Sequence, residues 1–222
     1  LYSDTEAKYD YIAEVFDTLI VRDIQSKYRI RNPQLLYRIV DFLMDNISNL
    51  SSARNITSAL NGAMEKIHHT TVGAYIQYLC NAFAFYRVRR YDIKGKKYLS
   101  ANDKYYLCDH TFRYAKLGTK NMDYGRMLEN IIAIELLRRG YEVYVGVLYK
   151  KEIDFVAIRR SEKLYIQVAD NISDEKTFER EVSPLLKIPD AYPKLVIART
   201  RHSVYQYEGV RIVDAADFLT ES

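Results

Sequence analysis

Two short apolar runs, each interrupted by one polar side chain, limit what this chain can fold into more than any other feature. They are Glu152-Ile153-Asp154-Phe155-Val156-Ala157-Ile158 and Leu164-Tyr165-Ile166-Gln167-Val168-Ala169. A strand buried on both faces is most stable when it is all Val, Ile, Phe and Leu. A carboxylate or amide placed there needs a partner, whether a metal, a base or a solvent-filled cleft. Side by side on neighbouring strands, Asp154 and Gln167 would meet, with Glu129 in reach from a preceding helix. Glu152 and Asp154 share a strand face, so one of the pair would be solvated near the strand's start.

Around these runs the periodicity predicts helix Arg126–Arg139, strand Glu142–Leu148, strand Ile153–Ile158 and strand Leu164–Ala169. Helix Asp174–Leu186, strand Lys194–Ala198, strand Val210–Val213 and a terminal helix from Ala215 follow. Strands and helices intermixed in this way imply a mixed α/β core, a central mixed sheet flanked by helices. The first half reads differently. Helices are expected over Glu6–Tyr28, Pro33–Asn46 and Ala53–Leu60, the last capped by Ser51 or Ser52 and ending near Gly62. Thr70 or Thr71 would cap a fourth helix running to about Phe83. Strand-like runs Phe85–Asp92 and Lys104–Asp109 come next, joined by a Gly-, Lys-, Ser- and Asn-rich loop. Short helices followed by a basic hairpin are the layout of a winged helix-turn-helix. Lys116–Tyr124 reads as a linker. The expected division is therefore a helical segment 1–30, a winged helix 31–118 and an α/β domain 119–222.

Charge is unevenly spread. The chain carries +4 overall, yet between Asn46 and Gly118 eleven Lys and Arg face four Asp and Glu. That points to an anionic partner for the middle of the chain, against the plainer reading of a solvated face. In a helix-turn-helix, the helix beginning near Thr71 would enter the major groove. His68, His69, Thr70, Thr71 and Gln77 would then contact phosphates or bases. The wing would place Arg87, Arg89, Arg90, Lys94, Lys96 and Lys97 on backbone or minor groove. A winged helix used only for protein contacts is the alternative.

For the α/β half, phosphodiester hydrolysis needs a divalent metal to activate water and neutralise charge on phosphorus. Asp154 and Glu129, with the neutral oxygen of Gln167, would be the ligands for Mg²⁺. A lysine normally completes such a site. Two positions after Gln167 stands Ala169 instead, and the nearest candidate in sequence is Lys163, at the start of the strand. The plainer reading has Asp154 capping a turn or pairing with an Arg, and Glu129 as an ordinary polar helix residue. Other chemistries fall away. There is no Walker A loop, no zinc-ligand spacing and no Gly-x-Ser-x-Gly elbow. No apolar run approaches the roughly 20 residues that span a bilayer. Cys80 and Cys108 fit no metal or redox spacing, and a reducing cytoplasm is the simplest setting. The first residue is Leu1, which suggests a fragment or a processed product.

Asp103-Lys104-Tyr105-Tyr106-Leu107-Cys108-Asp109, Leu128-Glu129-Asn130, Glu152-Ile153-Asp154-Phe155 and Tyr165-Ile166-Gln167-Val168-Ala169 occur in that order. Arg180-Glu181, Pro184-Leu185-Leu186 and Tyr192-Pro193-Lys194 follow. Together they resemble the C-terminal half of a large prokaryotic family of predicted AAA+ ATPases. In that family a P-loop module precedes a winged helix and a domain similar to PD-(D/E)XK nucleases. The resemblance implies that Glu6–Tyr28 is the tail of an ATPase module, through which alone ATP would enter. It maps the nuclease motif onto Glu129, Asp154, Gln167 and Ala169, the last two departing from the active pattern. The expectation is a regulatory module that binds double-stranded DNA or a protein partner, with a degenerate nuclease-like domain. Two alternatives stand beside it. One is an active Mg²⁺-dependent endonuclease using Asp154, Glu129, Gln167 and Lys163; the other is the self-associating half of a defence or toxin-antitoxin-like assembly.

Overall fold

The structure, a computed structural model, describes residues 5–61, 67–118 and 123–221. Gly62, Glu65 and Lys66, which entered the helix and charge expectations, lie outside the described residues, as do positions 119–122 of the expected linker. The chain separates into two compact units, 1–87 with 104–122, and 88–103 with 123–222.

The helical unit opens with α1 (Thr5–Leu19), a π-helical stretch Ile20–Gln25 and α2 (Ser26–Tyr28), so the expected single helix changes its winding midway. The wider winding still leaves Phe16, Ile20 and Ile24 buried together. Pro33 starts α3 (Pro33–Asp45), where its missing N–H costs nothing, and Asn32 accepts from the Leu35 N–H at 2.9 Å. Ser52 caps α4 (Ala53–Leu60) through the Asn55 N–H. The next helix, α5 (His69–Asn81), has His68 and not a threonine at its N-cap, with no side-chain cap bond. Leu36, Ile39, Val40, Leu43, Ile76 and Leu79 fill one core with Phe85, Tyr105 and Leu107.

Two further features differ from expectation. The supposed linker begins inside a helix, α6 (Thr111–Leu117), started by Asp109 accepting from Thr111 N and Oγ1 at 2.8 and 2.7 Å. Lys116 then bonds Asp17 of α1 at 2.7 Å. The hairpin β1 (Phe85–Asp92) and β2 (Lys97–Leu107) is longer than predicted, and its distal part, Val88–Asp103, groups with the α/β unit. Arg89 to Asp92 pair in parallel with Tyr144 to Val147, so the hairpin is no free wing. The physical reason is its own pattern: Val88, Tyr91 and Ile93 are apolar and buried, which makes β1 an inner strand.

The sheet order is β2-β1-β3-β4-β5-β6-β8-β7, with β3 (Glu142–Leu148), β4 (Lys151–Arg159), β5 (Glu162–Ala169), β6 (Lys194–Ala198), β7 (Tyr205–Tyr207) and β8 (Val210–Asp214). Parallel and antiparallel pairs mix, as predicted. Helix α7 (Tyr124–Arg138) packs on β3, β4 and β5, and α8 (Glu175–Leu186) on β4, β5, β6 and β8. Val182 and Leu185 of α8 are fully buried against Val156, Tyr165 and Val196, each worth roughly 1.5–3 kcal/mol of apolar burial. At the end of α7, Glu135 accepts from Arg138 at 2.6 Å and from Arg139 at 2.7 Å. The Arg138 bond, reinforced by Arg139, holds the Glu135 carboxyl down at about 2. Arg139 also donates to the carbonyls of Phe218 and Glu221, tying α9 (Ala215–Thr220) to α7. No helix among the described residues is long and apolar enough to cross a membrane.

Candidate functional site

Asp154 lies where β4 breaks its pairing with β3. Tyr144 faces Val156, but Gly146 faces Ile153, so Asp154 and Phe155 together oppose Val145. One extra residue on β4 makes a β-bulge, a device that re-aims a side chain out of the regular alternation. Gly146 is needed there. A Cβ at that position would stand 2.8 Å from Ile153 Cβ and 2.8 Å from Val156 Cγ2.

On the other side of β4 the ladder to β5 runs to Phe155–Ile166, and beyond it side chains take over from backbone. Asp154 Oδ2 accepts from the Val168 N–H at 2.8 Å, and the Asp154 N–H donates to Gln167 Oε1 at 2.8 Å. Gln167 Nε2 donates to Glu181 Oε2 at 2.9 Å. The other oxygen of Glu181 accepts from Arg180 Nε at 2.9 Å. Gln167 and Glu181 are both buried. Each buried polar group thus has a partner, and the Gln167 amide has one orientation that satisfies both neighbours.

Asp154 and Gln167 are therefore side by side, as their strand positions predicted, but joined to backbone and to each other. Two of the oxygens a Mg²⁺ ion would take already accept N–H groups. No three His, Cys, Asp or Glu among the described residues converge to hold a metal. The donor set as arranged does not fit an octahedral ion that needs several free oxygens. Glu129 is buried in α7 beside Asn130. Lys163 is not delivered to the site. It pairs with Ile158, four residues and about 13 Å along β5 from Gln167. Its ammonium sits over the rings of Tyr91 (5.7 Å) and Tyr192 (4.8 Å). Ala169 is buried opposite Ala198.

Glu181 is the residue that sequence reasoning missed. The signal was present: Phe178, Glu181, Val182 and Leu185 recur at helical spacing, which puts a carboxylate on the apolar stripe of α8.

In the helical unit, Thr70 is exposed and Thr71 half-buried at the start of α5, whereas Gln77 donates to Asn81 at 2.8 Å within its own helix. Arg87 and Arg89 are exposed on β1, and Arg90 is half-buried in the register with Val145. Lys94, Lys96 and Lys97 are exposed at the hairpin turn, Lys94 stacking over Tyr149 at 4.9 Å.

A family described as a domain of unknown function (DUF8612) matches residues 1–123. The chain belongs to that family. The family's match takes in the helices, the β1–β2 hairpin and α6, and stops just before α7. An uncharacterized protein of Haemophilus influenzae is 35% identical over 219 residues, covering 99% of this chain and 54% of its own length. An uncharacterized protein of Methanocaldococcus jannaschii is 27% identical over 186 residues, covering 82% of this chain and 41% of its own. The chain thus spans about half the length of the curated relatives it matches.

Proposed function

We propose that this chain is the DNA-binding, regulatory C-terminal region of a longer ATPase of the AAA+ type. In this reading the helical unit acts as a helix-turn-helix DNA reader without a free wing, and the α/β unit is a nuclease-like domain without catalysis. The observation that carries the reading is the closed bonding of Asp154 and Gln167. A hydrolytic site needs its carboxylate free for metal and a cation close to the scissile phosphate. Here the carboxylate and amide hold strand ends together, Ala169 stands at the lysine position, and Lys163 is occupied by two tyrosines. What remains is a folded scaffold. The relatives' greater length supports a further module beside these two units, and the exposed Thr70, Arg87, Arg89, Lys96 and Lys97 support an anionic partner. Double-stranded DNA is that partner in this reading, and two free cysteines agree with a reducing compartment.

The test is duplex DNA binding across a salt series, paired with a cleavage assay in Mg²⁺ and Mn²⁺. Affinity falling steeply with salt, with no cleavage, is the expected result. Metal-dependent cleavage that disappears in Asp154→Ala would sink the non-catalytic reading. Absence of binding at low salt would remove DNA as the partner.

A further inference from the structure

The helical unit holds a cleft of about 520 Å³ between the turn that follows α2 and the first half of α5. Arg29, Arg31, His68, Thr70 and Thr71 line it together with Asn32 and three tyrosines, and no carboxylate does. Among the described residues, neither guanidinium has an ion pair or hydrogen bond, and neither threonine hydroxyl has a hydrogen-bond partner. Nearby arginines are engaged: Arg38 donates to the Leu60 carbonyl, and Arg113 faces Asp45 at 3.8 Å. Two cations left unpaired in one concave site, with no acid to offset them, mark a place prepared for a negative charge.

The walls are fixed. Arg29 adopts a left-handed backbone (φ 46°), uncommon for a side chain with a Cβ, which turns the chain sharply after Tyr28. The Tyr28 ring stacks on Tyr78 of α5, centroids 3.9 Å apart and nearly parallel. The Asn32 N–H donates to the Tyr75 hydroxyl at 3.2 Å. These two ties bracket Arg29 and Arg31, so the segment carrying them is docked onto α5 before any ligand arrives. Arg29 is the left-handed C-cap of α2, so the turn carrying both arginines is set by the helix end as well as by these two ties.

We infer that this cleft is a phosphate-binding subsite for the backbone of duplex DNA, with Arg29 and Arg31 as its cations and Thr70 and Thr71 as neutral donors. The inference rests on the DNA-binding reading and deepens it, since the sequence pattern assigned no role to either arginine. A guanidinium suits this task because its planar fork can bond two phosphate oxygens at once.

The full chain should be titrated into a labelled duplex from low to moderate salt, as wild type, Arg29→Ala/Arg31→Ala, Arg29→Lys/Arg31→Lys and Lys8→Ala. Lys8 is an exposed cation of α1 outside the cleft. The double alanine variant is expected to bind any duplex roughly tenfold more weakly. Its log–log salt slope should be shallower by about two, one for each lost phosphate contact. The double lysine variant should keep the slope while losing part of the affinity, and Lys8→Ala should leave both unchanged. Circular dichroism and a melting curve matching wild type confirm that the alanine variant is folded. If wild type binds and the folded double alanine variant has the same slope, this inference fails and the DNA-binding reading stands. If wild type binds no duplex at low salt, both fail.

Discussion

The two units treat their polar side chains in opposite ways. In the α/β unit, the residues that read as chemistry, Asp154 and Gln167, are bonded to backbone, to each other and to Glu181. In the helical unit, Arg29 and Arg31, to which the sequence assigned no role, line a cleft with Thr70 and Thr71, and their side chains are unpaired among the described residues. The difference teaches where to look for function. A polar group whose hydrogen bonds close within the protein holds the fold. One left open in a concave site is offered to something else.

The sharpest way to break this comparison is to put the missing lysine back. Ala169→Lys forces a long cation into a buried position opposite Ala198 and should cost about 3–5 kcal/mol in urea denaturation. Cleavage should not return, because Asp154 and Gln167 stay bonded. A stable variant that cuts DNA in Mg²⁺ would overturn the claim that the site is closed. Next in size is Glu181→Leu, which leaves the Gln167 NH₂ buried without its acceptor. A loss of about 2–3 kcal/mol is expected. A variant as stable as wild type would show that Glu181 is not structural.

Glu135 gives the contrast a pH signature. Its folded pKa of about 2 lies below the ordinary 4.5, so the stabilisation is complete above pH 4.5 and is lost as pH falls toward 2. Glu135→Gln should therefore cost about 1–2 kcal/mol at neutral pH, after discounting for the exposure of Arg138. The gap between variant and wild type should close across that acid range in a series of denaturation curves. A gap that persists unchanged at pH 2 would reject the ion-pair account. The smallest expected effect is on the stability of Arg29→Ala/Arg31→Ala, within about 0.5 kcal/mol of wild type, as for surface changes without structural partners. A larger loss in the melting curve would mean that these arginines hold the fold after all.

Much of the architecture was legible because its signals are local. Ser52 and Pro33 marked helix starts, and strands Glu142–Leu148 and Lys194–Ala198 matched their predicted spans. Asp154 and Gln167 were expected side by side because each is the polar residue within an apolar strand-like run. Helix α6 was hidden because Lys116–Tyr124 read as a linker, although Asp109 was a usable cap. The early part of β2 is polar and turn-like, and only pairing makes it a strand. Tyr205–Tyr207 is too short for a pattern to register. The bulge, the Gln167–Glu181 bond and the Arg29–Arg31 cleft were illegible for a shared reason. Each is a relation between distant segments, as with Asn32 and Tyr75, which stand 43 positions apart in the chain.

The bulge in β4 ties the site to the length of the strand. Because it is one whole residue, only a deletion in β4, or an insertion opposite it in β3, evens out the pairing. Ile153 and Val156 now share a face although they stand three positions apart, and with one intervening residue removed they would still share it in plain alternation. The flanking core would keep its place, and what disappears is the extra position from which Asp154 reaches the Val168 N–H. The orientation of Asp154 is thus set by a count of residues as well as by bonding.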